Sequence, residues 1–233
     1  MTGTELHART ALPTLHDKAP DFFARTTMGD RTLSGYHGRW VLLFSHPADF
    51  TPVCTSEFVA FSRQAASFAA IGCELLALSV DSLYSHLAWI RSIHEQFGVV
   101  VSFPIIEDPS MAIARAYGMV APNASDSSLV RAAFVIDSQG TIRALSWYPM
   151  TTGRNVAERL RLVAALQMAD AHDVATPEGW QPGEDVILPL LLTTDAALKA
   201  PAGPGNWYYR TGNPAAIRKG AYPETAPGAE IPA

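Results

Sequence analysis

Cysteine is scarce in this chain. Two cysteines in 233 residues exclude a disulfide scaffold, which needs several bridges to stand in for a core. No Cys-x-x-Cys pair is present, so a Cys-only zinc site and a thioredoxin-type dithiol are excluded as well. Positive charge is also short: 17 Lys+Arg face 22 Asp+Glu, for a net charge of −5. That argues against nucleic acid as a partner, because phosphate neutralisation needs clustered Lys and Arg. Long apolar runs are missing too. The longest, Val186–Leu192, is interrupted by Pro189 and falls far short of the roughly 20 residues that cross a bilayer. The stretch from Met1 to Thr10 has no apolar run, so no secretory signal and no membrane anchor are expected. The cytoplasm is the default location, and free thiols suit it.

What is present reads as globular. Hydrophobic residues make up 48% and charged residues 17%, and the length suits one large domain or one domain with a small appendage. Short apolar runs alternate with helical patterns. Trp40–Ser45 and Cys73–Val80 read as buried strands. Thr51 to Glu57 reads as a helix start, with Pro52 at an early position and Phe58, Phe61, Ala65 and Phe68 following at helical spacing. Asp81-Ser82 should cap a helix running to about Phe97, ended by Gly98. Val99–Ile106 is a strand candidate that Pro104 demotes towards an edge, and Ser110–Tyr117 a short helix closed by Gly118. Ala132–Asp137 and Thr141–Tyr148 flank a Gly-containing turn and predict a hairpin. Asn155-x-x-Glu158 resembles a capping box opening a helix to about Ala171, with Val156, Leu160, Val163 and Leu166 on its apolar face. The pattern predicts an α/β fold, a mixed central sheet flanked by helices.

Composition shifts after residue 200. Residues 201–233 hold 11 of the 33 Gly+Pro, so regular structure is not expected there. Trp207-Tyr208-Tyr209 should pack on the body or on another subunit, while the last ten residues stay mobile.

The chemistry concentrates at Cys54. A cysteine in the first turn of a helix meets unpaired N–H groups and the positive end of the helix dipole, both of which favour the thiolate nucleophile. Thr51, three residues earlier, can donate its hydroxyl to the sulfur. Pro47 and Pro52 stiffen the loop, and Pro47 can shield the sulfur from water. Glu57 can hold a cationic partner without touching the sulfur. The alternative is a buried helix cysteine acting as a small hydrophobe; the spacing of Pro, Thr and Glu favours the reactive thiol. The six histidines other than His46 show no ligand spacing with cysteines or acidic clusters, so neither a metal nor a cofactor is expected.

Pro47-x-x-x-Thr51-x-x-Cys54 resembles the peroxidatic signature of peroxiredoxins. The longer string Phe44-Ser-His-Pro-Ala-Asp-Phe-Thr-Pro-Val-Cys54-Thr55 is similar to the 1-Cys, peroxiredoxin-6-like branch. The resemblance continues at Leu76 to Ser82, His86 to Trp89, Arg131 to Asp137 and Ala175 to Val186, and covers roughly residues 14 to 210. It implies a thioredoxin-like domain, about 12–172, and a C-terminal arm, about 173–233, that reaches across a homodimer. Trp180 and Trp207–Tyr209 are candidates for that contact, and decamers occur in the family.

The implied activity is reduction of hydrogen peroxide and alkyl hydroperoxides. Cys54 would attack a peroxide oxygen and pass through sulfenic acid. Arg131 matches the family's active-site arginine and would stabilise the developing charge. Thr51 would orient the peroxide, accepting from it while donating to the thiolate, and His46 would line the pocket and contact the peroxide or the sulfenic acid. Cys73 opens an apolar strand and is expected to be core, so an external thiol or other reductant must regenerate Cys54. The lipase-type Gly-x-Ser-x-Gly element of some branch members is absent from the matching stretch, His37 to Val41, so no phospholipase activity is expected by that route. A peroxide sensor or redox-regulated holdase using the same cysteine is the competing reading.

Overall fold

The computed structural model describes residues 12–120, 127–200 and 207–214. The start of the chain and its last ten residues, both read above from sequence, lie outside the described residues. Two compact units divide the chain after Leu160.

The first unit opens with a short antiparallel pair, β1 (Phe23–Ala24) and β2 (Arg31–Thr32). A five-stranded sheet follows, built from β3 (Trp40–Ser45), β4 (Cys73–Ser79), β5 (Ile105–Glu107), β6 (Arg131–Ile136) and β7 (Ile142–Tyr148). The spatial order is β5-β4-β3-β6-β7. β3, β4 and β5 run parallel, while β6 is antiparallel to both β3 and β7. β3 is central, and Val41–Ser45 is buried throughout, as a strand covered on both faces must be. β5 is an edge, as Pro104 suggested, but it is shorter than the apolar run predicts. Pro104 offers no N–H to a ladder; its carbonyl instead accepts from Ala77 N at 3.1 Å. Val101 and Phe103 are buried without pairing as strand.

Helix α1 (Pro52–Ala70) crosses from β3 to β4, and α2 (Leu83–Phe97) crosses from β4 to β5. Phe44 of β3 stacks on Phe61 of α1 with ring centroids 4.2 Å apart, and Phe58, Phe103 and Trp89 extend this aromatic layer. The opposite face of the sheet packs Val41, Leu43, Leu76, Phe134 and Ile136 with Tyr117 and Met119, beside the short helix α3 (Ala112–Ala116). Ser82 caps α2, its hydroxyl accepting from Ser85 N at 3.3 Å. Asn155 Oδ1 accepts from Glu158 N at 3.1 Å at the start of α4 (Val156–His172), the expected side-chain cap. On α4, Val156 and Val163 are buried while Leu160 and Leu166 are half-buried.

The second unit starts within α4. Trp180 is buried against Ala165 and Val186 and donates Nε1–H to Glu184 O at 3.1 Å. Trp180 therefore belongs to its own unit's core, which corrects its nomination as a contact with a neighbouring subunit. A short helix, α5 (Thr194–Leu198), is capped by Thr193. β8 (Val186–Ile187) pairs antiparallel with β9 (Thr211–Gly212), so the Gly/Pro-rich tail contains one ordered bridge that its composition concealed. The backbone there finds partners: Leu188 N donates to Arg210 O, and the Arg210 guanidinium to Pro189 O. Trp207, Tyr208 and Tyr209 are each more than half exposed, with Trp207 and Tyr208 edge to face.

Gly98 ends α2 at φ +65°, and its N–H bonds to His94 O at 2.9 Å. A Cβ there would meet open space, so only backbone strain opposes one. Gly98→Ala should cost about 1 kcal/mol, read as a lower urea midpoint with an unchanged slope.

Candidate active site

The site begins with how α1 starts. Phe50 takes a left-handed backbone, φ +56°, a conformation that non-glycine residues adopt only where the surroundings hold them there. It turns the chain from the end of β3 into the helix. Thr51 is the N-cap residue with extended backbone, and Pro52 fills the first helical position, where its missing N–H costs nothing. Cys54 is then the third residue of α1, fully buried, in the turn whose backbone N–H groups lack intrahelical acceptors.

The Thr51 hydroxyl does not donate to the sulfur, contrary to the sequence-based expectation. It donates to Ala48 O at 2.8 Å, closing the loop before the helix. The oxygen keeps its lone pairs, so towards any further partner Thr51 can only accept.

Arg131 opens β6, and its side chain reaches the thiol across the sheet. Its Nη1 donates to Cys54 Sγ at 3.4 Å and to Glu57 Oε2 at 2.8 Å. Its Nε and Nη2 both donate to Met150 O, at 3.0 and 2.8 Å. Glu57, one turn after Cys54, is equally well held. Arg154 gives it a bidentate pair, Nε to Oε1 and Nη2 to Oε2, both 2.8 Å, and adds its own backbone N–H at 2.6 Å. The Arg154 Nη1 ends on Ala132 O at 2.7 Å. All three charged side chains are almost completely buried. Burial alone pushes the Glu57 carboxyl up, but the hydrogen bonds and charge of Arg154, with Arg131, bring it below its ordinary value.

Cys54, Arg131 and Glu57 are thus joined as the sequence suggested, and Glu57 holds its cations without touching the sulfur. Arg154 was missed. It lies in the turn between the hairpin and α4, where no spacing or periodicity marks an arginine as buried. Pro47 is buried next to His46. His46 is fully buried, with Nε2 2.9 Å from Asp49 Oδ1, and Asp49 Oδ2 lies 2.8 Å from His86 Nδ1. Sequence spacing connected no other histidine with an acidic group; the fold places His86 of α2 against the same carboxylate. Beside the start of α1 a cleft of about 400 Å³ opens, lined by Phe50, Thr51, Thr55, Trp89 and Phe97 among others. Cys73 lies on the other side of the chemistry: buried in β4, its thiol is pushed up to about 12 by desolvation.

A strand-to-helix thiol capped by a guanidinium, on a mixed sheet of this order, defines a thiol-based redox enzyme on a thioredoxin-like fold. The AhpC/TSA family model matches residues 15–145, and the C-terminal domain of 1-Cys peroxiredoxin matches residues 165–200. Peroxiredoxin 2 of Thermoplasma acidophilum is 48% identical over 195 residues, covering 83% of this chain and 97% of that protein. The Aquifex aeolicus peroxiredoxin is 52% identical over 200 residues, covering 81% and 90%. Among solved structures, a yeast mitochondrial 1-Cys peroxiredoxin superposes with a TM-score of 0.74 at 43% identity, covering 80% of this chain and 91% of that one. A cysteine-to-serine variant of the peroxiredoxin 6 of Arenicola marina gives 0.77 at 33% identity, covering 86% and 97%. The chain belongs to the peroxiredoxin family, in its 1-Cys branch, and is a thiol-dependent peroxidase.

Glu57→Gln leaves two buried guanidinium groups without a counter-charge, so it should cost about 3–5 kcal/mol at neutral pH. The pH dependence follows from the depressed carboxyl. Its contribution is fully present above the ordinary value of 4.5 and is lost as pH falls through the lower value in the folded state. Urea midpoints of the wild type should therefore drop on acidification below about that point, and Glu57→Gln should lose this part of the acid slope.

Proposed function

We propose that Cys54 is the peroxidatic thiol and that Arg131, Thr51 and Pro47 complete its site. The observation that carries this reading is the Arg131 guanidinium on Cys54 Sγ at 3.4 Å, with its other donors fixed on Glu57 and Met150 O. The Cys54 thiolate attacks the hydroxyl oxygen of a hydroperoxide. An S–O bond forms, the O–O bond breaks, and its electron pair leaves on the second oxygen, which takes a proton to become water or an alcohol. Sulfur is oxidised by two electrons to sulfenic acid, and the peroxide is reduced by two. Arg131 is already in place where negative charge spreads across the breaking bond, so little reorganisation is needed. Thr51 Oγ1, its hydrogen committed to Ala48 O, accepts the peroxide O–H and orients the attacked oxygen. Pro47 keeps bulk water from the sulfur, and Glu57 positions Arg131.

The substrates in this reading are hydrogen peroxide and alkyl hydroperoxides. Regeneration is external. One thiol condenses with the sulfenic acid to a mixed disulfide and releases water, and a second thiol releases Cys54 and leaves as the disulfide. The elevated Cys73 thiol supports this, since a buried neutral thiol is a poor nucleophile. The yeast relative is described as resolved through glutathione/thioredoxin systems, and the same two reductant classes are proposed here. The chain is further proposed to work in the cytoplasm as a homodimer, or as a decamer of such dimers, with residues 12–172 as the catalytic domain and 173–233 as the dimerisation arm. The exposed Trp207–Tyr209 rings suit an interface. No helix among the described residues is long and apolar enough to cross a membrane.

Cys54→Ser should abolish peroxide turnover with little loss of stability; retained turnover would defeat the assignment. Arg131→Lys should slow reaction with hydrogen peroxide by about 100-fold or more, the loss expected for one preorganised donor. After one equivalent of peroxide, mass spectrometry should find Cys54 as sulfenic acid and no Cys54–Cys73 disulfide. Light scattering decides between dimer and decamer.

A further inference from the structure

One more buried arginine lies beside the Cys54–Arg131–Glu57 network. Arg159, in the first turn of α4, is only 8% exposed. Its Nη1 donates to Ser146 Oγ at 3.0 Å and its Nη2 to Tyr148 Oη at 3.1 Å. The guanidinium also stands over the Tyr148 ring, 5.6 Å from the centroid. Its Nε is buried without a hydrogen-bond partner, and no carboxylate pairs with the group among the described residues. A buried cation without a counter-charge costs stability that an apolar side chain in its place would not. Packing alone therefore gives no reason for an arginine here.

The two groups that Arg159 grips point to the reaction. Tyr148 is the last residue of β7 and the cross-strand partner of Arg131, and Ser146 is that of Ala133. Directly opposed residues send their side chains to the same face of a sheet, so Tyr148 stands beside the stem of Arg131. Arg159 follows Tyr148 by 11 positions, and the turn between them carries two groups that fix the Arg131 guanidinium. Met150 O accepts from Arg131 Nε and Nη2, at 3.0 and 2.8 Å. Arg154 holds Glu57, which accepts from Arg131 Nη1 at 2.8 Å. The same turn lies against the helix of the thiol: a Cβ on Gly153 would stand 3.5 Å from Val53 and 3.7 Å from Glu57. Inside the turn Thr152 N donates to Pro149 O at 3.2 Å, and Arg159 joins its two ends.

We propose that Arg159 is a positioning residue of the peroxidase reaction: by gripping Ser146 and Tyr148 from α4, it closes the turn whose Met150 carbonyl holds Arg131 towards Cys54. The residue type follows from the geometry. Ser146 and Tyr148 are two positions apart on one strand, so their side chains share a face. A planar fork reaches both hydroxyls at once, whereas the single ammonium of a lysine does not. Arg159 acts through Arg131. A donor aimed at developing charge is effective only while it is held in place beforehand, and a shift of the Met150 carbonyl would let the Arg131 guanidinium turn away from the sulfur. The proposal rests on Cys54 being the peroxidatic thiol and on Arg131 stabilising the charge of its reaction.

The test uses the full, reduced chain. In ¹⁵N-edited NMR the Arg131 Nε–H of the wild type should be protected from exchange by its bond to Met150 O. Arg159→Leu should speed that exchange about 10-fold or more. In stopped-flow measurements it should lower the second-order rate constant with hydrogen peroxide about 10-fold, within the range for losing a supporting partner of a reacting group. Arg159→Lys keeps a charge but not the fork, and should lose as much. A residue acting through Arg131 gives non-additive losses, so in an Arg131→Lys background Arg159→Leu should change the rate less than about twofold. Fully additive losses would mark a merely structural role and overturn the proposal. Unchanged Arg131 Nε–H exchange, an unchanged rate, or a rate restored by Arg159→Lys would overturn it as well. If Arg159→Leu does not fold, Tyr148→Phe removes one gripped hydroxyl alone. It should slow the reaction about threefold, the effect of one hydrogen bond, and no loss there would defeat the proposal. Failure of the underlying reading is separate: it would appear as peroxide turnover surviving Cys54→Ser, or as Arg131→Lys leaving the rate unchanged.

Discussion

The Glu57 carboxylate, shared between two buried guanidinium groups, is the interaction on which the rest of the site depends. Arg131 must carry a full charge in a place without water, which is costly unless the charge is paired and every donor has an acceptor. Glu57 supplies the pairing, and the Met150 carbonyl takes the donors that remain. Arg154 completes the square by neutralising the second half of the carboxylate and tying it to Ala132 O. Arg131 is then so constrained that one Nη1–H faces the sulfur.

The fold makes this arrangement affordable by bringing three separated segments to one end of the sheet. β3 ends at Ser45, whose hydroxyl donates to Val130 O and accepts from Ala132 N. That pair of bonds fastens the start of β6, and so Arg131, next to the strand that leads into the Cys54 loop. The central position of β3 therefore has a chemical consequence. The strand feeding the thiol and the strand carrying the guanidinium are neighbours, and the register between them sets the sulfur-to-nitrogen distance.

The elements with strong local signals were legible in the sequence. Buried runs such as Trp40–Ser45, the Asn155 and Ser82 caps, and the hairpin around Gly140 announce themselves through periodicity and capping chemistry. Cys54, Thr51 and Pro47 stand within one turn and one loop, so spacing alone relates them. Arg131 was found only through the resemblance, since 77 residues separate it from Cys54. Arg154, Asp49 and His86 were not found, because their partners are set by tertiary packing and their neighbours in the chain carry no trace of it. The Thr51 hydroxyl was misassigned for a related reason. Spacing related it to the sulfur, but the fold turns its hydrogen to the loop carbonyl of Ala48. β9 escaped notice because two residues of pairing leave no pattern in a Gly/Pro-rich tail.

The complete burial of Cys54 also separates the two halves of its cycle in time. A peroxide is barely larger than two waters and can travel where a thiol reductant cannot. In the conformation described the sulfur has no exposed surface, so a peroxide needs a small opening beside it and a thiol reductant a larger one. The first turn of α1 has no side-chain cap bond from Thr51, but the Thr55 N–H and hydroxyl both donate to Thr51 O, at 2.9 and 2.8 Å. In the reaction proposed above, the interval between oxidation and regeneration then depends on how often those bonds open.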